Sequence, residues 1–321
     1  MFRDHSIYFA PMEGVTTKVF RDVHRRFYSG IDKYFSPFIV VTSNLSFKKR
    51  DIKGVVPLEE KLVPQLLAND PKAFVWAARF LAQAGYKEVN LNAGCPSSTV
   101  TSKGKGSGLL ENKDVFRRFL DDVFCEKDLP NISIKLRAGY YSTEEAPVIA
   151  DIIAEYPFSE VIIHPRSRED FYNGKCDMDA FNVMAEKQQC PICYNGDIKS
   201  PEDMSVLHDS CLNQLSDLSR TDTVSVMIGR GLIASPGLAD EIRFGKKDSD
   251  ITTMKSFMNC LKDAYSAELS GERDVLFKLK EIWGYIGPTL SGFDKELKAV
   301  KKSKTISEYD LVTDRIFDDL L

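Results

Sequence analysis

No stretch of this chain supplies the ~20 uninterrupted apolar residues of a membrane-spanning helix, and the N-terminal segment MFRDHSIYFAPMEG holds no long apolar run. The expectation is a soluble protein of the cytoplasm, without membrane contact. Cysteines are few and unmatched: there are seven, an odd number, spread without the density of a disulfide scaffold, as suits a reducing compartment. An excess of positive charge is also missing. Lys and Arg total 43 against 47 Asp and Glu, a formal charge of −4, which excludes coating nucleic acid by bulk charge but leaves room for a local basic groove. Neither an internal repeat nor a low-complexity tract occurs. What is present is 321 residues at 43% hydrophobic content, enough for one barrel-sized domain or two smaller ones.

Short apolar runs recur along the first three quarters of the chain: IYFA (7–10), KYFSPFIVV (33–41), LVPQLLA (62–68), EVNLN (88–92), ISIKL (132–136), EVIIH (160–164), PICYN (191–195) and TVSVMIG (223–229). Between them lie amphipathic stretches at 17–28, 71–84, 112–124, 144–156 and 235–244; the second opens with Asn69-Asp70-Pro71, a capping residue followed by the proline favoured at a helix start. Eight strands alternating with helices predict parallel pairing and a (β/α)8 TIM barrel over residues 1–245, with a doubly wound open sheet as the alternative. After about residue 245 the polar GKKDSDI reads as a linker, and from 251 onward the pattern is helical only, so 246–321 is expected as a small C-terminal helical domain. Its lysines concentrate at Lys298, Lys301, Lys302 and Lys304; other basic clusters are Lys18, Arg21, Arg25 and Arg26, the segment FKKRDIKG (47–54), and Lys103 with Lys105. A charge run of this kind is more often a solvated face than a nucleic-acid contact.

Barrels of this class carry their chemistry at the C-terminal ends of the strands. Those positions hold Pro11 and Met12, Gln65, Asn92 with Cys95, Lys135 with Arg137, His164 with Arg166, Asn195-Gly196-Asp197, and Gly229-Arg230-Gly231. A lone histidine at a strand end is usually a packed one, but this many polar strand ends converging on one mouth point to a site. The two glycine-containing turns after strands seven and eight suit a phosphate, with Arg230 adding a charge-assisted contact. A phosphate there and Lys135 inside the mouth fit flavin mononucleotide, whose reduced ring a lysine would stabilise. Cys95, three residues past a strand end, belongs above that mouth. A free thiol has a pKa near ~8.5, so it is mostly protonated at neutral pH and able to give a proton to a developing carbanion. Two other motifs predict less. GKGSG (104–108) lacks the Walker spacing and reads as a flexible loop, while Cys190 and Cys193 of CPIC lie on a strand with no second pair or histidine, so they read as core thiols and no metal is expected.

The segments APMEGVT (10–16), NLNAGCP (90–96), KLRAG (135–139), HPRSREDFYNG (164–174), YNGDI (194–198) and MIGRG (227–231), in this order, resemble the flavin-dependent tRNA-dihydrouridine synthases. The resemblance implies an FMN barrel that reduces the C5=C6 bond of uridine in tRNA with NADPH as electron source, and a helical C-terminal region that binds the tRNA. It implies Cys95 as the acid that protonates C5. Pro11, Met12, Gln65, Lys135, His164 and Arg166 would hold the flavin, with Asn195, Gly196, Asp197, Gly229 and Arg230 at its phosphate. Asn92 and Tyr172 would meet the uracil, and Arg168 would lie with Arg166 near the flavin and the RNA path. A monomer is expected. The chain departs from the family at Ser97-Ser98, where a lysine often follows Cys-Pro, and at Thr42-Ser43-Asn44, so no RNA contact carries over from those loops. The alternatives are a barrel flavoenzyme acting on a free pyrimidine, the same chemistry on ribosomal RNA, or an RNA-binding module without chemistry.

Overall fold

Ten short strands, all parallel, form one sheet in the computed structural model, which describes residues 5–209, 224–245 and 251–321. In chain order they are β1 (Ile7–Phe9), β2 (Lys33–Phe35), β3 (Ile39–Val40), β4 (Leu62–Val63), β5 (Gln65–Leu67), β6 (Glu88–Ala93), β7 (Asn131–Gly139), β8 (Glu160–Ser167), β9 (Ile192–Asn195) and β10 (Ser225–Ile228). Ten strands fill eight barrel positions. β1 pairs with both β10 and β2, β2 pairs with β4, β3 pairs with β5, and β5 pairs with β6, so β2–β3 and β4–β5 are each one staved position broken in the middle, and the ring closes.

The breaks have a local cause. Proline lacks an N–H and cannot donate to a ladder; Pro37 falls between β2 and β3, and Pro64 separates β4 from β5 while its carbonyl still accepts from Asn90 N at 2.9 Å. The runs KYFSPFIVV and LVPQLLA are therefore interrupted strands, whereas the expected runs at 132–136 and 160–164 are the N-terminal parts of longer ones.

The connecting helices are α1 (Lys18–Phe27), α2 (Lys49–Lys53), α3 (Pro71–Gln83), α4 (Ser98–Thr101), α5 (Lys113–Phe124), α6 (Ala146–Ala154), α7 (Met178–Glu186), α8 (Pro201–Leu207), α9 (Arg230–Ala234) and α10 (Leu238–Phe244). Asp70 caps α3 as expected, its carboxylate accepting from Lys72 N and Ala73 N, with Pro71 in the first turn. The stretch expected as one helix over 235–244 is instead the end of a turn followed by α10.

Two apolar layers hold the barrel. Tyr8, Ala10, Phe35, Val63, Ile162, Cys193 and Met227 fill its interior, and a larger layer lies between strands and helices. That outer layer runs without a break into the C-terminal helices α11 (Ile251–Glu268), α12 (Glu272–Ile286), α13 (Asp294–Lys302) and α14 (Ile306–Leu320). Phe257 of α11 is fully buried, with ring centroids of Phe20, His24, Phe27 and Tyr28 within 5.6–6.2 Å. Truncating such a residue to alanine costs ~3–5 kcal/mol, so the helical region is fastened to α1 rather than hung on a tether. Residues 246–250, where the sequence places the domain boundary, lie outside the described residues. No helix among the described residues is long and apolar enough to cross a membrane.

Candidate active site

The C-terminal ends of the strands open into a cleft of about 360 Å3. It gathers Pro11, Met12, Gln65, Asn92, Cys95, Lys135, His164, Tyr172, Asn195, Gly196, Asp197, Gly229 and Arg230, all expected from the sequence. Two expected residues are not among its walls. Arg166 is 1% exposed and stands behind His164 and Asp197, because it shares the inward face of β8 with Ile162 and His164 but its guanidinium is consumed by protein acceptors. Arg168 lies just past that strand, its guanidinium paired with Glu169 and set over the Tyr140 and Phe171 rings.

Cys95 is held by its neighbours' polar groups. The Asn92 Oδ1 accepts from Gly94 N at 3.1 Å and from Cys95 N at 2.9 Å, and Asn92 Nδ2 donates to Gln65 Oε1 at 2.7 Å. Gln65 Nε2 in turn donates to Asn90 Oδ1 at 2.8 Å, and Asn90 Nδ2 to Ser133 Oγ at 2.9 Å. This chain across three strands turns Asn92 into the anchor of the cysteine loop, with its carbonyl oxygen already committed. From the other side Ser107 donates to the Cys95 carbonyl through its N–H at 3.1 Å and its hydroxyl at 2.8 Å. The segment expected as a flexible loop is thus a buried 3-10 turn, Gly106–Leu110, that buttresses the thiol. Gly106 sits at φ +59°, and a Cβ there would come within 2.8 Å of the Cys95 carbonyl.

Electrostatics divide the cleft. Burial pushes the Cys95 thiol up, against the Ser97 N–H and the Lys135 and Arg137 cations, so it is protonated at neutral pH. The Lys135 ammonium has no hydrogen-bond or ion-pair partner among the described residues; burial and then Arg137 lower its pKa to about 8. His164 is pushed well below its ordinary value by burial and by Arg137, Lys135, Arg166 and Arg230, so it is neutral. Arg137 donates to the Gly94 carbonyl at 3.0 Å and the Ser167 carbonyl at 2.7 Å. Tyr172 lies under both Arg137 and Arg230, with cation-to-ring distances of 5.3 and 4.7 Å.

The expected phosphate loops meet closely. Asn195 Nδ2 donates to the Met227 carbonyl at 2.8 Å, and Gly231 passes so near the Ile198 carbonyl that a Cβ would lie 2.1 Å from it. Asp197, opposed by its own burial, is held below the usual carboxylate range by Arg166 and Arg230. Its two oxygens accept from Arg166 and Arg230 at 2.5 Å each.

Some wall residues escaped the sequence reading. Glu13, Phe38, Lys199 and Tyr285 line the cleft as well. Tyr285 comes from α12, more than fifty residues beyond β10, and no local pattern in GYIG marks it. α12 reaches the mouth because it packs on α9 and because Lys278 donates to the Gly14 carbonyl at 2.7 Å.

Similarity to known proteins agrees with this geometry. The family model "Dihydrouridine synthase (Dus)" matches residues 8–290. The chain is 28% identical over 255 residues to the tRNA-dihydrouridine(16) synthase of Pseudomonas syringae pv. tomato, covering 76% of this chain and 77% of that protein. It is likewise 28% identical over 239 residues to tRNA-dihydrouridine synthase B of Escherichia coli K12, covering 73% and 70%. Among solved structures, a variant of NCR from Zymomonas mobilis aligns with a TM-score of 0.50 at 13% identity, over 74% of this chain and 85% of that one, a likeness of fold alone. With the family match running from β1 through α12 and so taking in every wall of the cleft, the chain belongs to the dihydrouridine synthase family.

Proposed function

We propose that the protein reduces the C5=C6 bond of a uridine in tRNA to 5,6-dihydrouridine, with FMN as bound cofactor and NADPH as electron source, in the cytoplasm. The observation that carries this reading is a half-buried, protonated thiol and a half-buried ammonium with no ionic partner among the described residues, Cys95 and Lys135, facing one cleft. The donor set fits a flavin: an ammonium without a counter-ion among the described residues, a neutral imidazole, the Gln65 amide and an arginine beside close-packed glycine loops suit an anionic ring edge and a phosphate. Bound FMN would supply the hydride that reaches C6. Lys135 offsets negative charge at the ring edge, and His164 and Gln65 offer hydrogen bonds to it. Arg230 and the turns 195–197 and 229–231 hold the phosphate. Cys95 gives its proton to C5, and its raised pKa keeps that proton in place until carbanion character develops. Asn92 sets the thiol's position through the Cys95 N–H. That relatives of this chain are tRNA-dihydrouridine synthases supports tRNA as the substrate. Exposed Lys298, Lys301 and Lys302 of α13 offer phosphate contacts outside the cleft.

The test is a map of dihydrouridine in RNA from cells with and without the protein. Loss at one or a few tRNA positions is expected. Loss confined to ribosomal RNA would refute the tRNA assignment, and an unchanged map would refute the activity.

A further inference from the structure

Arg166 is fully buried and makes four polar contacts. Its Nε donates to the Asn173 carbonyl at 3.2 Å, Nη2 to the Gly174 carbonyl at 2.7 Å and to Asp197 Oδ2 at 2.5 Å, and Nη1 lies 3.2 Å from His164 Nε2. A guanidinium keeps its charge in proteins and has no lone pair to offer. At 3.2 Å the imidazole must therefore be the acceptor, with Nε2 bare. A neutral ring with Nε2 bare carries its hydrogen on Nδ1, and no acceptor among the described residues takes it.

We propose that Arg166 is a positioning residue that locks His164 in its neutral Nδ1–H tautomer, so that the cleft presents one hydrogen-bond donor at this point and refuses a second proton. The surroundings push the same way. Protonation would put an imidazolium among Arg137, Lys135, Arg166 and Arg230, with the Tyr172 ring beside it. The same guanidinium grips Asp197, which carries Arg230, and the two carbonyls that follow Tyr172. One buried residue thus sets the imidazole, the phosphate turn and the aromatic wall in register. A ligand meeting Nδ1–H must offer a carbonyl oxygen or another acceptor. That this acceptor belongs to a flavin or uracil rests on the function proposed above; the tautomer itself does not.

The chain has four histidines, few enough for 15N-histidine labelling and long-range 1H–15N correlation on the flavin-free protein, with His164→Gln to assign the signal. Expected is a protonated Nδ1 and bare Nε2 for His164, without titration between about pH 5 and 8. A proton on Nε2, or an ordinary titration in that range, overturns the proposal whether or not any variant folds. In Arg166→Met, His164 should become a tautomer mixture and regain titration, and FMN measured by equilibrium dialysis should bind about tenfold more weakly. Arg166→Lys, which keeps a donor, should recover part of the tautomer preference. A folded Arg166→Met with an unchanged His164 spectrum would reduce Arg166 to packing and sink the idea. The expected tautomer in a protein that fails to bind FMN would leave the lock standing and remove the flavin reading instead.

Discussion

The two ends of the barrel both bury charge, and they handle it in opposite ways. At the N-terminal end, Lys33 reaches Glu88 at 3.0 Å and Glu160 at 3.1 Å, Tyr8 donates to Glu160 at 2.8 Å, and Ser225 donates to the Tyr8 oxygen at 3.1 Å. Lys33, the cation of this cluster, thus has two anionic partners. At the C-terminal end Lys135 has none among the described residues, and Arg137 and neutral His164 stand beside it. The two lysines report the difference. Burial works against both charges, yet Glu160 and Glu88 raise Lys33, while Arg137 drives Lys135 further down, to about 8. A closed ion-pair plug makes sense as structure. An open cationic mouth is a standing cost to the free protein, one that an anionic ligand would offset.

The comparison breaks most visibly at Cys95. Cys95→Ala should lower dihydrouridine formation on tRNA by roughly 10^2–10^4-fold, the range of a lost proton donor. Flavin reduction by NADPH and RNA binding should persist. Single-turnover product yield checks this, and an unchanged yield would remove the thiol from the mechanism. At the other end, Glu160→Ala strips Lys33 of one partner and leaves the Tyr8 hydroxyl without its acceptor, so the midpoint of urea unfolding should fall by the equivalent of ~3 kcal/mol. Activity per folded molecule should hold. A loss of turnover without a loss of stability would show that the plug belongs to the site after all.

How much of this the sequence displayed depends on the range of the interaction involved. Alternating apolar runs revealed eight strand positions, because the period of a strand and the apolar faces of its flanking helices are local properties. The same logic misjudged 33–41 and 62–68, where apolar content is continuous but Pro37 and Pro64 cut the ladder. Strand-end positions were legible, since the fold alone dictates that they converge. What each group does there was not. Asn92 as anchor of the cysteine turn, Gly106 beneath the Cys95 carbonyl and Arg166 behind the imidazole are set by contacts across strands, which carry no sequence period. Tyr285 is the extreme case, delivered by a helix whose placement follows from packing on α9.

Lys135 gives the smallest effect and the sharpest discrimination. Its folded pKa of about 8 lies below the ordinary lysine value of 10.5, so between those limits the unfolded chain holds a proton that the folded protein has released. The slope of unfolding free energy with pH is then positive, up to about 1.4 kcal/mol per pH unit from this group, and it vanishes below pH ~8, where both states are charged and the cost of the buried cation is fully present. Lys135→Met removes both the cost and the slope. At pH 7 the variant should be more stable by about 1 kcal/mol, roughly 2 °C in Tm, while its affinity for FMN falls. The wild type should recover that deficit as pH rises through 8, and the variant should not, so the difference between their urea midpoints at pH ~7 and ~9.5 cancels the titration of every other group. Equal midpoints at both values would mean that the ammonium is as well paired as Lys33, and the contrast between the two ends of the barrel would be lost.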